Sequence, residues 1–188
     1  HLDVALADLL AAYIAFTFDQ APAVNKHMIT ILNRNSAQIV RIWRANMYVS
    51  SEVAVAGVLL KARCLRITSL VALSGGVAIT PVEMDTNDPL PASIDARTGP
   101  TNVITVVGEF KRFLMSSDEA VVTTLDADAY AAELFPRDTA ALLKFDLPLA
   151  KPLTLRTDGT TFQGFSIQNL VGAVGNIGLE TLFTVSAT

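Results

Sequence analysis

Residues 177–185, near the end of the chain, read IGLETLFTV, and this stretch decides the class of fold. Successive side chains of an extended strand point to opposite faces, so every second residue shares a surface. One face would carry Ile177, Leu179, Thr181, Phe183 and Val185. The other face would carry Glu180 and Thr184. The alternation predicts a closing strand with one side in a core.

The same alternation recurs along the chain and predicts further short strands. The runs cover 13–18, 27–32, 39–49, 59–73, 77–82, 103–115, 142–149, 153–157 and 162–170. Polar turns separate them, including residues 33–36 (NRNS), and the pair Asp158-Gly159 is typical of a tight hairpin. About eight to ten strands with regular turns indicate an all-β protein. We expect one domain over 13–188, a β-sandwich or jelly roll.

Three segments depart from this pattern. Residues 1–12 carry Leu2, Leu6 and Leu9 at near-helical spacing, which predicts an N-terminal arm or short helix, although a frayed terminus remains an alternative. Residues 118–134 are rich in alanine and predict a short helical crossing. Residues 83–100 mix proline with Asp and Asn, which predicts a long ordered loop of the kind that often makes contacts.

Composition indicates a chain that buries surface against other subunits. Of the 188 residues, 51% are hydrophobic and 17% are charged, and the mean hydropathy is +0.43. The wholly apolar stretches are far shorter than the roughly 20 residues of a membrane helix, so we expect no membrane partner. Unmatched apolar surface usually marks an interface, which favours an oligomer.

The charge balance argues against a nucleic-acid partner. The net charge is −4, and the basic residues between positions 34 and 66 are spread over predicted strands. The start of the chain lacks the charged and apolar regions of a secretory signal. The single cysteine, Cys64, has no partner for an internal disulfide and is expected to be a buried small hydrophobe.

Few residues suit catalysis or metal binding, so we predict a non-enzyme without cofactor or metal. His27 is the only realistic base for a serine nucleophile, and it lies in a strand pattern. Asp85, Asn87, Asp88 and Asp95 could offer oxygens to Ca²⁺, but turn formation explains them better. A hydrolase with the acidic pair Asp126 and Asp128 is a distant third possibility. Three aromatic residues could form a sugar platform, although core packing is favoured: Tyr13, Trp43 and Tyr48.

A set of short segments carries a resemblance. It comprises LRIT at 65–68, the glycine pair 75–76, ITPV at 79–82, DTNDP at 85–89, RTG at 97–99, and the final hairpin-like region from 152 to 185. In this order they resemble the small β-sandwich structural proteins of tailed-bacteriophage virions, capsid decoration or cement proteins among them. The similarity extends in style over residues 39–185.

This resemblance implies a protein of the virion, assembled in the host cytoplasm, that stabilises the assembled head. Its partners would be the major capsid protein and copies of itself. The N-terminal arm and the 83–100 loop would supply the contacts through Leu2, Leu6, Leu9, Asp85, Asn87, Asp88, Pro89, Pro91 and Arg97. The alternative is a tail or head-surface module that recognises host carbohydrate, in which case Trp43 or Tyr48 would be exposed.

Overall fold

A computed structural model describes residues 11–49, 58–117, 140–144, 151–172 and 176–188. All the regular secondary structure in these residues is β-strand, arranged in two sheets with antiparallel pairing throughout. The all-β prediction is therefore confirmed for the part described. The predicted helical crossing over 118–134 and most of the N-terminal arm lie outside the described residues, and the single domain over 13–188 stays a prediction.

The first sheet contains six strands. They are β1 (Ala11–Gln20), β3 (Gln38–Val49), β6 (Val82–Glu83), β9 (Ala140–Lys144), β10 (Leu153–Leu155) and β12 (Ile177–Ala187). Their order is β10-β3-β12-β1-β6, and β9 also pairs with β3. The closing strand predicted from residues 177–185 is thus central to this sheet.

The second sheet also contains six strands. They are β2 (His27–Asn33), β4 (Val58–Ser69), β5 (Val77–Ala78), β7 (Ile94–Thr98), β8 (Thr105–Ser117) and β11 (Phe162–Asn169). Their order is β5-β7-β2-β11-β4-β8. Strand β8 is therefore an edge strand of this sheet, paired in the described residues with β4 alone.

One hydrophobic cluster draws residues from both sheets. In β12 the predicted inward residues, from Ile177 to Val185 at alternate positions, are all buried. Phe183 stacks on Tyr13 of β1 with ring centroids 5.4 Å apart, and Phe165 and Ile167 of β11 join the same cluster from the second sheet. Apolar burial of this kind contributes about 25 cal/mol per Å², so the shared cluster holds the two sheets together.

The connections differ from the hairpins that the local sequence favours. Strands β1, β2, β3 and β4 alternate between the sheets, so the polar turn at 33–36 crosses from one sheet to the other. The prediction of a hairpin at Asp158-Gly159 is wrong, because β10 pairs with β3 whereas β11 pairs with β2 and β4. The turn itself is real: the Asp158 carboxylate accepts the backbone N–H groups of Thr160 and Thr161, and Gly159 has a φ of +88°.

Other boundaries also need correction. Strand β1 begins at Ala11, inside the predicted arm, because its pairing with β12 starts at the Ala11–Val185 pair. The predicted strand at 77–82 divides into β5 and β6, which belong to different sheets. The predicted loop at 83–100 contains β7. Arg97 of β7 pairs with Thr30 of β2, and Ile94 pairs with Asn33, so β7 extends the second sheet beside β2. Long-range pairing, rather than local composition, makes these residues strands.

Candidate functional site: two exposed apolar edges

The predicted acidic contact residues organise their own turn. One oxygen of the Asp85 carboxylate accepts the backbone N–H of Asn87 at 2.9 Å and its side-chain amide at 3.1 Å. The backbone N–H of Asp88 donates to the carbonyl of Asp85. Asp95 lies elsewhere, paired with Arg34 at 3.0 Å. Among the described residues, no group of His, Cys, Asp or Glu is arranged to hold a metal ion.

The remaining predicted contact residues separate in space. The carbonyl of Pro89 accepts the Tyr13 hydroxyl at 3.4 Å, and the carbonyl of Pro91 accepts the N–H of Ile94. Arg97 lies in β7 and donates to the carbonyl of Gly75 at 3.0 Å. The structure thus places Pro89 beside β1, Pro91 just before the start of β7, and Arg97 on β7 itself, where its side chain reaches the turn at Gly75. Leu2, Leu6 and Leu9 lie outside the described residues.

The first of two exposed surfaces is the β1–β6 edge, defined by Phe16, Phe18, Val82 and Met84. Strand β6 pairs with β1 at only two positions, opposite Tyr13 and Ile14, so the rest of β1 extends past it. Phe16 is 41% exposed and Phe18 is 60% exposed, since both alternate with buried residues and point away from the core. Large apolar side chains grouped at an edge are typical of an interaction surface.

A local irregularity supports this edge. Asp19 has a positive φ of 50°, and the pairing of β1 with β12 shifts between Thr17 and Gln20. The carbonyl of Thr17 instead accepts the hydroxyl of Tyr48 from β3 at 3.3 Å. The ring of Phe18 contacts both Tyr48 and Phe16 edge-on, with centroids 6.0 and 5.3 Å apart. The two phenylalanines are therefore held in place, although they are exposed.

Carboxylates border the β1–β6 edge. Glu83 lies directly opposite Tyr13 in the strand register, and Asp85 and Asp88 follow in the adjoining turn. Burial, and then the nearby charges of Asp88 and Glu83, raise the pKa of Tyr13. This surface thus combines apolar side chains with a negative rim.

The second surface is the β8 edge, defined by Val106, Val107 and Phe110. The register between β4 and β8 shifts twice, and each shift leaves one residue of β8 without an opposite residue: Phe110 and Val107. An extra residue of this kind forms a β-bulge, which bends the strand and re-aims a side chain. Phe110 is 43% exposed and Val107 is 58% exposed. Bulges also hinder further strand pairing at an edge, so this surface offers side chains rather than a flat backbone ladder.

Cations dominate the surroundings of the β8 edge. Arg63 of β4 and Arg112 of β8 are direct partners in the register, and Glu109 bridges them at 3.2 and 2.7 Å. Hydrogen bonds from Arg112, and then from Arg63, lower the pKa of Glu109. Lys61 and Lys111 add two further positive charges on the same two strands. This rim is therefore net positive.

His27 belongs to a polar network whose hydrogen bonds assign its role. Arg63 can only donate and the carbonyl of Asn25 can only accept, so the contacts of Gln168 with these two groups orient its side-chain amide. The Gln168 amide nitrogen then faces His27 Nε2 at 3.3 Å, which leaves the proton on Nδ1.

The histidine does not activate the neighbouring serine. His27 Nδ1 is 2.8 Å from the Ser166 hydroxyl oxygen and donates to it, while the Ser166 hydroxyl donates to the carbonyl of Ile29. Ser166 is fully buried. A serine nucleophile needs a base that accepts its proton, and here the ring nitrogen facing it is a donor. The arrangement is a hydrogen-bonded structural network.

The aromatic residues divide between the core and the surface. Tyr13 is buried, as core packing predicts. The prediction of core packing is wrong for Trp43 and Tyr48. Both are half-buried, because their neighbours Ile42 and Met47 fill the inward positions. Trp43 lacks an opposite residue where the register with β12 shifts, and its indole N–H donates to the Thr184 hydroxyl at 2.9 Å. Both rings belong to the outer face of the first sheet.

Comparison of the chain with protein-family models, curated proteins and solved structures finds no match. The described residues include no helix that could span a membrane. Reasoning from sequence missed the residues of both edges, because an apolar strand residue shows no local sign of which face is covered. The available signal was the run at 103–115, which is apolar at more positions than the alternate ones that a strand with one buried face needs.

Proposed function

We propose that the two sheets form a β-sandwich of the jelly-roll type. The strand order supports this: β1, β12, β3 and β10 are neighbours in one sheet, and β2, β11, β4 and β8 are neighbours in the other. The first and last strands of this set lie side by side, and so do the second and the penultimate. Eight strands wound as two Greek keys have this order.

We further propose that the protein is a structural component of a bacteriophage virion, a decoration protein that binds and stabilises the assembled head. The observation that carries the proposal is the strand order of the two sheets, which matches that of a jelly roll. Viral capsid proteins are one of the main groups built on the jelly roll. The two exposed apolar edges support the same role, because a protein that bridges subunits needs contact surfaces and no active site. Its partners would be the major capsid protein and further copies of the chain, in the virion.

The test uses heads assembled without this protein. Purified chain is mixed with such heads, sedimented and quantified in the pellet, and the heads are then heated until their DNA is released. We expect saturable co-sedimentation and a higher release temperature for decorated heads. Bovine serum albumin at equal concentration controls for trapping. Protein that stays in the supernatant while the release temperature is unchanged would rule out the decoration role.

A second candidate is recognition of host carbohydrate, which one observation favours. Trp43 and Tyr48 lie on the outer face of the first sheet beside Arg44, Asn46 and Glu180, and Glu180 pairs with Arg44 at 2.8 Å. Lectins also use the jelly roll, and aromatic faces with nearby polar groups suit sugar rings.

The chain has a single tryptophan, so its fluorescence reports on Trp43 alone. A saturable change in that fluorescence with host-surface polysaccharide, absent in Tyr48→Ala, would support carbohydrate recognition. An unchanged spectrum together with no retention on the immobilised polysaccharide would exclude it.

A further inference from the structure

We infer that copies of this chain associate head to tail, with the β8 edge of one copy docked on the β1–β6 edge of the next. The inference rests on the self-association in the proposed function and adds which two surfaces meet. The partner docked on each edge is a second copy of the same chain. Three features of the described residues carry it: the placement of the two edges, their side-chain chemistry and their charges.

The two edges lie on opposite sides of the molecule. The short segment between β5 and β6 joins one border of the second sheet to the β6 border of the first, so these two borders lie on one side. Ile79, within that segment, donates its backbone N–H to Ala96 of β7. Strand β8 forms the other border of the second sheet and contacts β9, which pairs with β3 far from β6. A copy placed against one edge therefore leaves the other edge free.

The apolar parts of the two edges suit contact through side chains. The bulged residues Val107 and Phe110 project from β8, where the irregular backbone hinders a ladder with another strand. The opposite edge presents Phe16, Phe18 and Met84, the last of which is 63% exposed. Aromatic residues and methionine are enriched in the cores of protein interfaces, and phenylalanine rings gain from edge-on contacts.

The charges of the two rims have opposite signs. Glu83, Asp85 and Asp88 border the β1–β6 edge. Lys61, Arg63, Lys111 and Arg112 border the β8 edge, and Glu109 offsets only one of these charges. Two copies of the β8 edge would repel each other, as would two copies of the β1–β6 edge. Complementary rims favour a contact between unlike edges and speed its formation.

A contact between unlike surfaces propagates, since each added copy presents a new free edge. Such heterologous contacts close into rings when the rotation between copies permits, and otherwise form open arrays. The two edges, rather than the 85–91 turn alone, would therefore determine how neighbouring copies join in a ring or shell.

The test reverses charge on one edge at a time in the full chain. The first variant is Lys61→Glu/Lys111→Glu, which keeps the cluster of Arg63, Glu109 and Arg112. The second is Glu83→Lys/Asp88→Lys. Light scattering at low salt should show that each variant alone loses association at least tenfold relative to the unchanged chain. An equimolar mixture of the two variants should recover association, because the β8 edge of each variant then meets a β1–β6 edge of opposite charge on the other variant.

A matched control makes the same change in net charge as the first variant at two exposed residues that belong to neither edge, by Lys151→Glu/Arg156→Glu. It should associate as the unchanged chain does. The inference is wrong if either edge variant associates like this control, or if both fail and the mixture stays dissociated while circular dichroism shows all chains folded. Binding of the chain to heads is measured separately, so loss of head binding alone would overturn the proposed function and leave this contact standing.

Discussion

The phenol ring of Tyr48 occupies the space where a side chain on Gly178 would stand. The two residues are direct partners in the register of β3 and β12, and a Cβ atom on Gly178 would overlap ring atoms of Tyr48. The ring thereby crosses β12 and its hydroxyl reaches the carbonyl of Thr17 on β1. One tyrosine thus links three strands next to the exposed Phe18, and glycine is needed opposite it for steric reasons.

Gly178→Ala should destabilise the fold by about 1–3 kcal/mol, because the added methyl group displaces the Tyr48 ring. Chemical denaturation monitored by circular dichroism measures the change. Gly108→Ala is the matched control, since Gly108 also lies in a strand and a Cβ there meets no atom within 4 Å. Equal stability of the two variants would show that the tyrosine does not need this space.

His27 should make the fold sensitive to mild acid. Burial, and then the charge of Arg63, lower the pKa of His27 below its usual value of 6.5. The unfolded chain takes up a proton near pH 6.5 while the folded chain does not, so this contribution to stability is complete above pH 6.5. It is lost progressively as the pH falls from there toward the folded pKa.

The measurement is the melting temperature between pH 8 and pH 5. We expect it to fall below about pH 6.5 and expect His27→Gln to flatten that part of the profile, whatever its stability at pH 8. A profile with the same slope in both proteins would assign the acid sensitivity to other groups.

Glu109→Gln should lower the melting temperature at low ionic strength, because Arg63 and Arg112 would then face each other without a carboxylate between them. The loss should shrink as salt rises, since these groups are accessible to screening ions. The double variant Glu109→Gln/Arg112→Gln should lose less than the two single losses combined. Strict additivity would mean that the three side chains do not interact in solution.

Cys64 should resist thiol reagents in the folded protein. The side chain is fully buried, and burial raises the pKa of the Cys64 thiol to about 12 even though Lys111 opposes the shift. Reaction with 5,5′-dithiobis(2-nitrobenzoic acid) at pH 8 should therefore follow unfolding, with full reaction in denaturant. Rapid labelling of protein that stays folded would show that the second sheet opens locally at β4.

Much of the strand content could be predicted because alternation is a local property. Residues 177–185 show it clearly, and each predicted inward residue of that run is buried. The turn at Asp158-Gly159 was also visible, since Asp158 bonds the backbone only two and three residues ahead. The sequence could not predict which sheet each strand joins. Strand β10, for example, pairs with β3, which lies more than a hundred residues earlier in the chain.

The candidate surfaces show the same division. The side chains of Asp85 and Asn87 were predicted as contacts, but their local hydrogen bonds serve the turn. The two edges could be identified only from the pairing of strands. Strand β6 pairs with just two residues of β1, and β8 has two more residues than β4 over the span in which they pair. Neither a bulge nor an uncovered strand border has a signature in the strand's own residues.

The amino-acid sequence alone determined that the described part of the protein is built from strands and where most of these strands run. It also determined that Tyr13 and the alternate residues of β12 belong inside, because these properties depend on residue spacing and hydrophobicity. Tertiary structure alone decided the order of strands, the neutral bonded state of His27, the outward position of Trp43 and Tyr48, and the two edges of opposite charge. These depend on which distant segments meet, and pairing between segments is chosen by the packing of the whole core rather than by any one segment.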